Sequence, residues 1–371
     1  MPLTKINKNT TVQQFVTTLL LAGLLSSCST TPKTPSMDRL PTTFNDLPGW
    51  ENDKHLETLP ALKKTCGVIG KKSNSTEMIT KSNGRGSAED WKPFCRKLNH
   101  HLNKGKLSSH EEVRTFLEDN LKPYQISLSG NNSGTFTGYY VPILRGSLRR
   151  HGPYQIPLYR LPKQTKYRKL NRTKIINGAL KNKGLELVWV DDAVEAFFIQ
   201  IQGSGRIELD NGREMTIGFA GQNGLPYFAI GKALIEKGIL TPETTNMQTI
   251  KRWLWDNPRQ AEKIMSLNQS YVFFKERSTS DVIGAHGVPL TPQRSMAVDR
   301  NYISLGTPLW LDAQHPNPGR DRLQRLLVAQ DVGGAIKGAI RGDYYWGIGD
   351  KAGSHAGRMN SQGNLYLLLP K

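Results

Sequence analysis

Between Val328 and Gly349 the chain reads Val-Ala-Gln-Asp331-Val-Gly-Gly-Ala-Ile-Lys-Gly-Ala-Ile-Arg-Gly-Asp343-Tyr-Tyr-Trp-Gly-Ile-Gly. An apolar, strand-like run ends at Asp331, a Gly-Gly pair breaks it, and a second short apolar segment ends at Asp343 beside three consecutive aromatics. Two acids at strand ends, next to flat rings and glycines, suit a site that holds and cleaves a sugar chain. A carboxylic acid can protonate a glycosidic oxygen, aromatic faces can stack on pyranose rings, and glycines allow close approach to the backbone. The alternative is a β-rich core with two turn aspartates and a buried aromatic cluster.

Thirty-five glycines and 21 prolines, with 37% hydrophobic residues, point to a turn-rich and substantially β protein instead of a helical bundle. The 344 residues from 28 to 371 are enough for two sizeable cores.

Lys5 and Lys8 precede an uncharged stretch with an apolar centre from Phe15 to Leu25, ending Leu25-Ser26-Ser27-Cys28. Residues 1–27 read as a lipoprotein signal peptide, too short for a permanent transmembrane helix. Cys28 becomes the lipidated residue, and several acyl chains give stable anchoring where one is marginal. Ser29 stands where an Asp would signal inner-membrane retention, so an outer-membrane, periplasm-facing lipoprotein of a Gram-negative bacterium is expected. In that oxidising compartment Cys66 and Cys95 read as a disulfide, and two free buried thiols are the alternative. Such a bridge closes a loop of roughly 30 residues, worth on the order of 3 to 4 kcal/mol.

The chain carries 50 Lys+Arg against 31 Asp+Glu; without residues 1–27 the balance is 48 minus 31, or +17. The location excludes nucleic acid as the partner of this charge, and the carboxylate-rich stem peptides of peptidoglycan fit it. The densest basic stretch runs from Lys163 to Lys183 with no acid in it. Most such runs are solvated faces.

Residues 28–45 read as a Thr/Pro/Ser-rich tether and 46–134 as a helical region. Within it, Trp91, Phe94, Cys95, Leu98 and Leu102 recur at helical spacing, and Lys72 to Ser87 reads as a loop. Ser109 to Glu112 forms a capping box. Strands are expected over Thr137–Leu144, Tyr154–Tyr159, Val194–Gln202, Val272–Phe274, Ser295–Val298, Pro308–Leu311 and Leu326–Ala329. A hairpin turns at Asp210-Asn211-Gly212, and helices are expected over Phe228–Lys237, Pro242–Trp255 and onward from Pro258.

Other chemistries find little support. His110 lacks an HExxH partner, and His100 and His101 diverge on a helix, so no metal site is expected. No G-x-S-x-G elbow occurs. Gly203-Ser204-Gly205 lacks the third glycine of a dinucleotide site and suits a tight turn lining a groove.

The C-terminal segment resembles the signature of the membrane-bound lytic murein transglycosylase A family. Phe136-Thr137-Gly138-Tyr139-Tyr140, Phe198 to Gly205, Gly221 to Tyr227, Gly287 to Pro292 and Arg294 to Asp299 resemble that family in order. The resemblance covers residues 130 to 371. It implies a mainly β fold with some α: a double-psi β-barrel from 135–148 and 286–371, its C-terminal 3D segment at about 295–370. A β-rich domain with helices is inserted over 149–285, and the glycan lies in the groove between the two.

The activity implied is lytic cleavage of the β-1,4 bond between N-acetylmuramic acid and N-acetylglucosamine, leaving 1,6-anhydromuramic ends, in cell-wall turnover. No cofactor is implied. The family's pattern places the single acid/base on Asp343 and a supporting role on Asp331. Thr137, Tyr139, Gln202, Gly203, Ser204, Gln222, Tyr344 and Trp346 are the candidate substrate contacts. For its role Asp343 must stay protonated near neutral pH, which demands burial, with Tyr344, Tyr345 and Trp346 as a possible apolar wall that a strand cannot turn to one side all at once. Asp299, Asp312 and Asp350 read as turn or surface residues. His286 departs from the family's expected apolar residue and reads as a tolerated surface change. Penicillin-binding proteins or other wall enzymes are possible protein partners. Two rival readings are a non-catalytic, expansin-like wall binder and a hydrolytic muramidase.

Overall fold

The computed structural model describes residues 37–79 and 85–371. Cys28 and the signal segment lie outside the described residues.

Six strands close into a ring. In ring order they are Ser133–Val141, Arg341–Ile348, Ser295–Val298, Leu323–Asp331, Pro308–Ala313 and Asn360–Pro370, and the last returns to the first. Closure uses Ser361 opposite Phe136 and Gln362 opposite Thr135. Two pairs are parallel: the Asp343 strand with Ser133–Val141, and Ser295–Val298 with the Asp331 strand. Closing the sheet removes exposed edges, and both faces of Pro308–Ala313 are covered, so that Leu309, Trp310 and Leu311 are all fully buried, as are Leu327 and Leu367. Each such leucine contributes about 1.5 to 3 kcal/mol relative to exposure.

The C-terminal strand is long enough to carry two more neighbours. Leu121–Leu128 pairs with its second half, and Met37–Pro41 pairs with Leu121–Leu128. Both assignments correct the sequence reading: part of the expected tether is a paired strand, and the expected helical region adds a strand to the barrel sheet. The helices Leu59–Lys71 and Ala88–Asn103 pack their apolar faces on the same core and are joined by the Cys66–Cys95 disulfide. The Lys72–Ser87 segment, expected as a loop, pairs Glu77–Ile79 with Arg85–Ser87. Arg294, 1% exposed, anchors the N-terminal turns to the ring by donating to Asp53 at 2.7 Å and to Glu57 at 2.9 Å.

A second sheet of six strands runs in the order Val272–Glu276, Glu214–Gln222, Ser204–Leu209, Ile143–Ser147, Glu186–Val190, Ile156–Tyr159. The chain leaves the ring at Val141 and enters this sheet at Ile143, so Pro142, which has no N–H to donate, marks the crossing. The strand Ile143–Ser147, expected in the barrel, therefore belongs to the second sheet.

The largest local error concerns Val194–Gln202, expected as a strand. Residues Ala193–Gln202 are an α-helix. Asp192 caps it by accepting from the backbone of Val194 and Glu195, and Gly203 ends it with a left-handed φ of 79°. A short apolar run fits a buried helix as well as a strand, and the caps decide between them. The helix expected from Pro242 begins only at Met247, where Asn246 accepts from Thr249 N at 3.0 Å. Among the described residues no helix is long and apolar enough to cross a membrane.

Candidate active site

Asp343 is the third residue of its strand, not the end of one as expected. Strand alternation turns Arg341, Asp343 and Tyr345 to one face and Tyr344 and Trp346 to the other. Across the parallel pair, Asp343 lies opposite Thr137 and Tyr345 opposite Tyr139. On its other side Asp343 lies opposite Ala297, which also registers with Asp331 on the next strand. Ala297 thus separates the two aspartates, and its small side chain leaves the space above it to them.

The Thr137 hydroxyl donates to Asp343 Oδ1 at 2.7 Å and accepts from Arg341 Nη2 at 2.8 Å. Burial pushes the Asp343 carboxyl up to about 6; the Thr137 hydrogen bond and the Arg341 charge oppose that shift, and the Asp331 charge adds to it. The residue as a whole keeps a partly exposed surface, as does Asp331.

Asp331 is held differently. Its Oδ1 accepts from the backbone N–H of Ala285 at 2.9 Å and of Val332 at 3.0 Å, and its Oδ2 accepts from the Tyr139 hydroxyl at 3.0 Å. Burial raises its pKa, and these three donors pull it back toward the ionised form. Both its oxygens are engaged.

The apolar wall beside Asp343 consists of Tyr139, Tyr345 and Ala297, packed with Val141, Val282 and Leu290. The two tyrosine rings lie 5.1 Å apart. Tyr344 is fully buried in the main core and donates to Gln293 O at 3.2 Å, and Trp346 is 7% exposed on that same reverse face. Both were expected to contact substrate, and the strand turns them away from the acid. Gly138 admits Trp346 there: a Cβ on Gly138 would lie 2.6 Å from Trp346 Nε1.

Gln202 ends its helix with its side-chain oxygen accepting from Tyr140 N at 3.0 Å, which ties the second sheet's helix to the Tyr139 strand. Gly203 and Ser204 form the turn that follows, with Ser204 opening a strand opposite Gly218. Gln222 is exposed at the end of its own strand, opposite Val272. The geometry therefore gathers Thr137, Tyr139, Asp331 and Asp343, sets Gln202 against their backbone, and leaves Gln222 on another strand.

Arg341 escaped the sequence reading, although the two-residue strand period places it beside Asp343; of the three rings expected as a wall, that period leaves only Tyr345 on the Asp343 face. Asp299 and Asp312, expected at turns or the surface, are buried. Asp299 accepts from Asn301 and Gly338 N–H groups, and Asp312 pairs with Arg322 at 2.6 Å. His286 is also buried, not a surface change, and burial lowers its pKa to about 4.

A closed ring carrying paired aspartates, with a second sheet spliced in after its first strand, is the arrangement of a 3D-domain protein with an insert. The family model for the MltA specific insert domain matches residues 135–275, and that for the 3D domain matches residues 294–369. The chain belongs to the membrane-bound lytic murein transglycosylase A family. It is 36% identical over 271 residues to the Escherichia coli (strain K12) protein of that name, covering 71% of this chain and 73% of that protein. The Vibrio cholerae protein of the same name is 33% identical over 328 residues, 84% of this chain and 87% of that one. Among solved structures, the membrane-bound lytic murein transglycosylase of Agrobacterium tumefaciens superposes with a TM-score of 0.78 at 30% identity, covering 90% of this chain and 98% of that one. The E. coli protein with bound chitohexaose gives 0.66 at 28% identity, covering 90% and 94%.

Proposed function

We propose that this protein is a peptidoglycan lytic transglycosylase in which Asp343 is the sole acid/base. One observation carries the reading: the two aspartates are unequal, the Asp343 carboxyl buried with a single hydroxyl donor and protonatable near neutral pH, Asp331 tied to three donors. Protonated Asp343 gives its proton to the oxygen between N-acetylmuramic acid and N-acetylglucosamine as the bond to the muramic C1 breaks. The resulting carboxylate takes the proton of the C6 hydroxyl on the same sugar while that oxygen bonds to C1. The 1,6-anhydro ring forms, no water enters, and Asp343 ends protonated as it began.

A hydrolytic muramidase would need a second carboxylate free to activate water or attack the sugar. Asp331 is held in place by three donors on its two oxygens, and its role is to hold Tyr139 and the Ala285 turn against the site. Thr137 and Arg341 orient the reacting carboxyl. The groove between the ring and the second sheet takes the glycan strand, with Gln202, Gly203 and Ser204 on its floor and Gln222 farther along. Cys28 carries the lipid that holds the protein to the periplasmic face of the outer membrane, where a basic surface faces the carboxylate-rich wall. Mass spectrometry of products from purified sacculi tests the reaction. Anhydromuropeptides are expected, and products one water heavier would replace the lytic reading with hydrolysis.

A further inference from the structure

On the reverse face of the Asp343 strand, Trp346 borders a cavity of ≈ 410 Å³ that the reaction does not use. Gln293, His315, Arg320, Trp346, Lys351 and His355 line it, and no carboxylate does. His355 stacks on Trp346 with ring centroids 4.8 Å apart and planes at 21°. His315 stands edge-on to both, at 6.2 and 6.3 Å. Arg320 and Lys351 are exposed at the rim, and Arg358 reaches Asn317 Oδ1 beside His355.

Gln293 holds a left-handed φ of 58°. Its N–H donates to Tyr345 O at 2.7 Å and its carbonyl accepts from the Tyr344 hydroxyl, so the strand that carries Asp343 imposes this conformation. Non-glycine residues persist there only where their surroundings over-determine them, and such residues cluster at ligand sites.

We propose that this cavity is a carboxylate site that receives the acidic stem peptide borne by the glycan strand. The inference rests on the peptidoglycan reading above and deepens it. A lining with cations and no acid selects an anion, and the ring wall gives the apolar stem of a peptide a surface to lie on. Trp346 is three residues from Asp343, roughly 10 Å along the strand, and an extended peptide of four residues spans about 13 Å. Ile348, the last residue of that strand, both packs against the Tyr139–Tyr345 wall and lines the cavity, so a peptide branching from the reacting sugar reaches the cavity past the strand's C-terminal end.

Both histidines are held below their ordinary pKa, first by burial and then by positive neighbours: His315, Arg358, Lys351 and Arg320 around His355, and Arg320 and Arg325 around His315. A seated carboxylate offsets that repulsion and raises both.

The test is an NMR titration of the His315 and His355 ring protons in the full chain carrying Asp343→Asn, which spares the glycan. A soluble peptide-bearing glycan fragment is expected to raise both midpoints. The same fragment stripped of its peptides, and inorganic phosphate at equal concentration, are expected to leave them in place. An equal response to phosphate makes the cavity an unselective anion site and overturns the proposal, as does no response to any of the three. The double variant Arg320→Ala/Lys351→Ala, altered only at exposed positions, is expected to lower the ratio of cleavage of peptide-bearing over peptide-free glycan by roughly tenfold, about 1.4 kcal/mol. An unchanged ratio also overturns it. The histidine readout needs no turnover, so its failure leaves the anhydro-product reading standing, and a hydrolytic product leaves the histidine response standing.

Discussion

Thr137 and Asp343 lie opposite each other on parallel strands 206 residues apart in sequence, and the hydroxyl of one donates to the carboxyl of the other at 2.7 Å. That hydrogen bond favours the ionised carboxyl while burial favours the neutral one, and the balance falls at about 6. Because the first step needs the neutral acid, kcat/KM is expected to fall as pH rises through about 6. Thr137→Val removes the bond and should move this limb to higher pH. A pH–rate profile with the limb unmoved would show that Thr137 does not tune the acid.

Asp343→Asn keeps the shape but cannot donate and recover a proton, so anhydromuropeptide release should fall by at least about two decades, while pull-down on sacculi survives. Asp331→Asn should cost less, since an amide oxygen still accepts from Ala285 and Val332. An Asp343→Asn protein within tenfold of wild type would move the role to Asp331.

The same substitution has a signature in stability. With its folded pKa raised from 3.8, Asp343 binds its proton more tightly in the native state than in the unfolded chain. Its contribution is present below 3.8 and is lost as pH rises through about 6. Asp343→Asn should therefore raise the Tm at pH 8 and leave it nearly unchanged at pH 4. Thermal melts of the two proteins at both pH values decide it.

Arg294 is buried against Asp53 at 2.7 Å, and Asp53 also accepts from Leu326 N at 2.9 Å. Asp53→Ala strands a buried cation, with an expected loss of about 3 to 5 kcal/mol. Denaturant titration measures it, and a loss below about 1 kcal/mol would mean that Glu57 alone satisfies the guanidinium.

Cys66–Cys95 links two helices that contribute no side chain to the acid. Cys66→Ser with Cys95→Ser should lower stability by about 3 kcal/mol with kcat unchanged below the new melting range. Parallel melts and rate assays check both halves.

Much of this site was legible because its residues are local in motif even where they are distant in space. Phe136 to Tyr140 and the Asp331–Asp343 segment stood out as strings, and strands then laid one against the other. The errors arise where the outcome depends on partners that a string does not name. Phe197, Phe198 and Ile199 fit either period until Asp192 and Gly203 fix the ends. Tyr344 and Trp346 read as ring surfaces for a sugar, but Asp343 takes the site-facing phase of the strand and sends both into the core. Asp312 looked like a turn residue because Arg322, its partner, lies beyond the turn.

The ring closes through the C-terminal strand, whose residues 360–364 pair with Ser133–Thr137 at one end and whose residues 366–370 pair with Leu121–Gln125 at the other. During synthesis the chain is delivered from its N-terminal side, so Thr137 emerges 206 residues before its partner Asp343. Every contact that shapes the acid is made late, between segments that must wait for one another. A chain stalled short of residue 360 carries both aspartates and no closed ring to bury them, so the acid takes its final surroundings only when the last strand is in place.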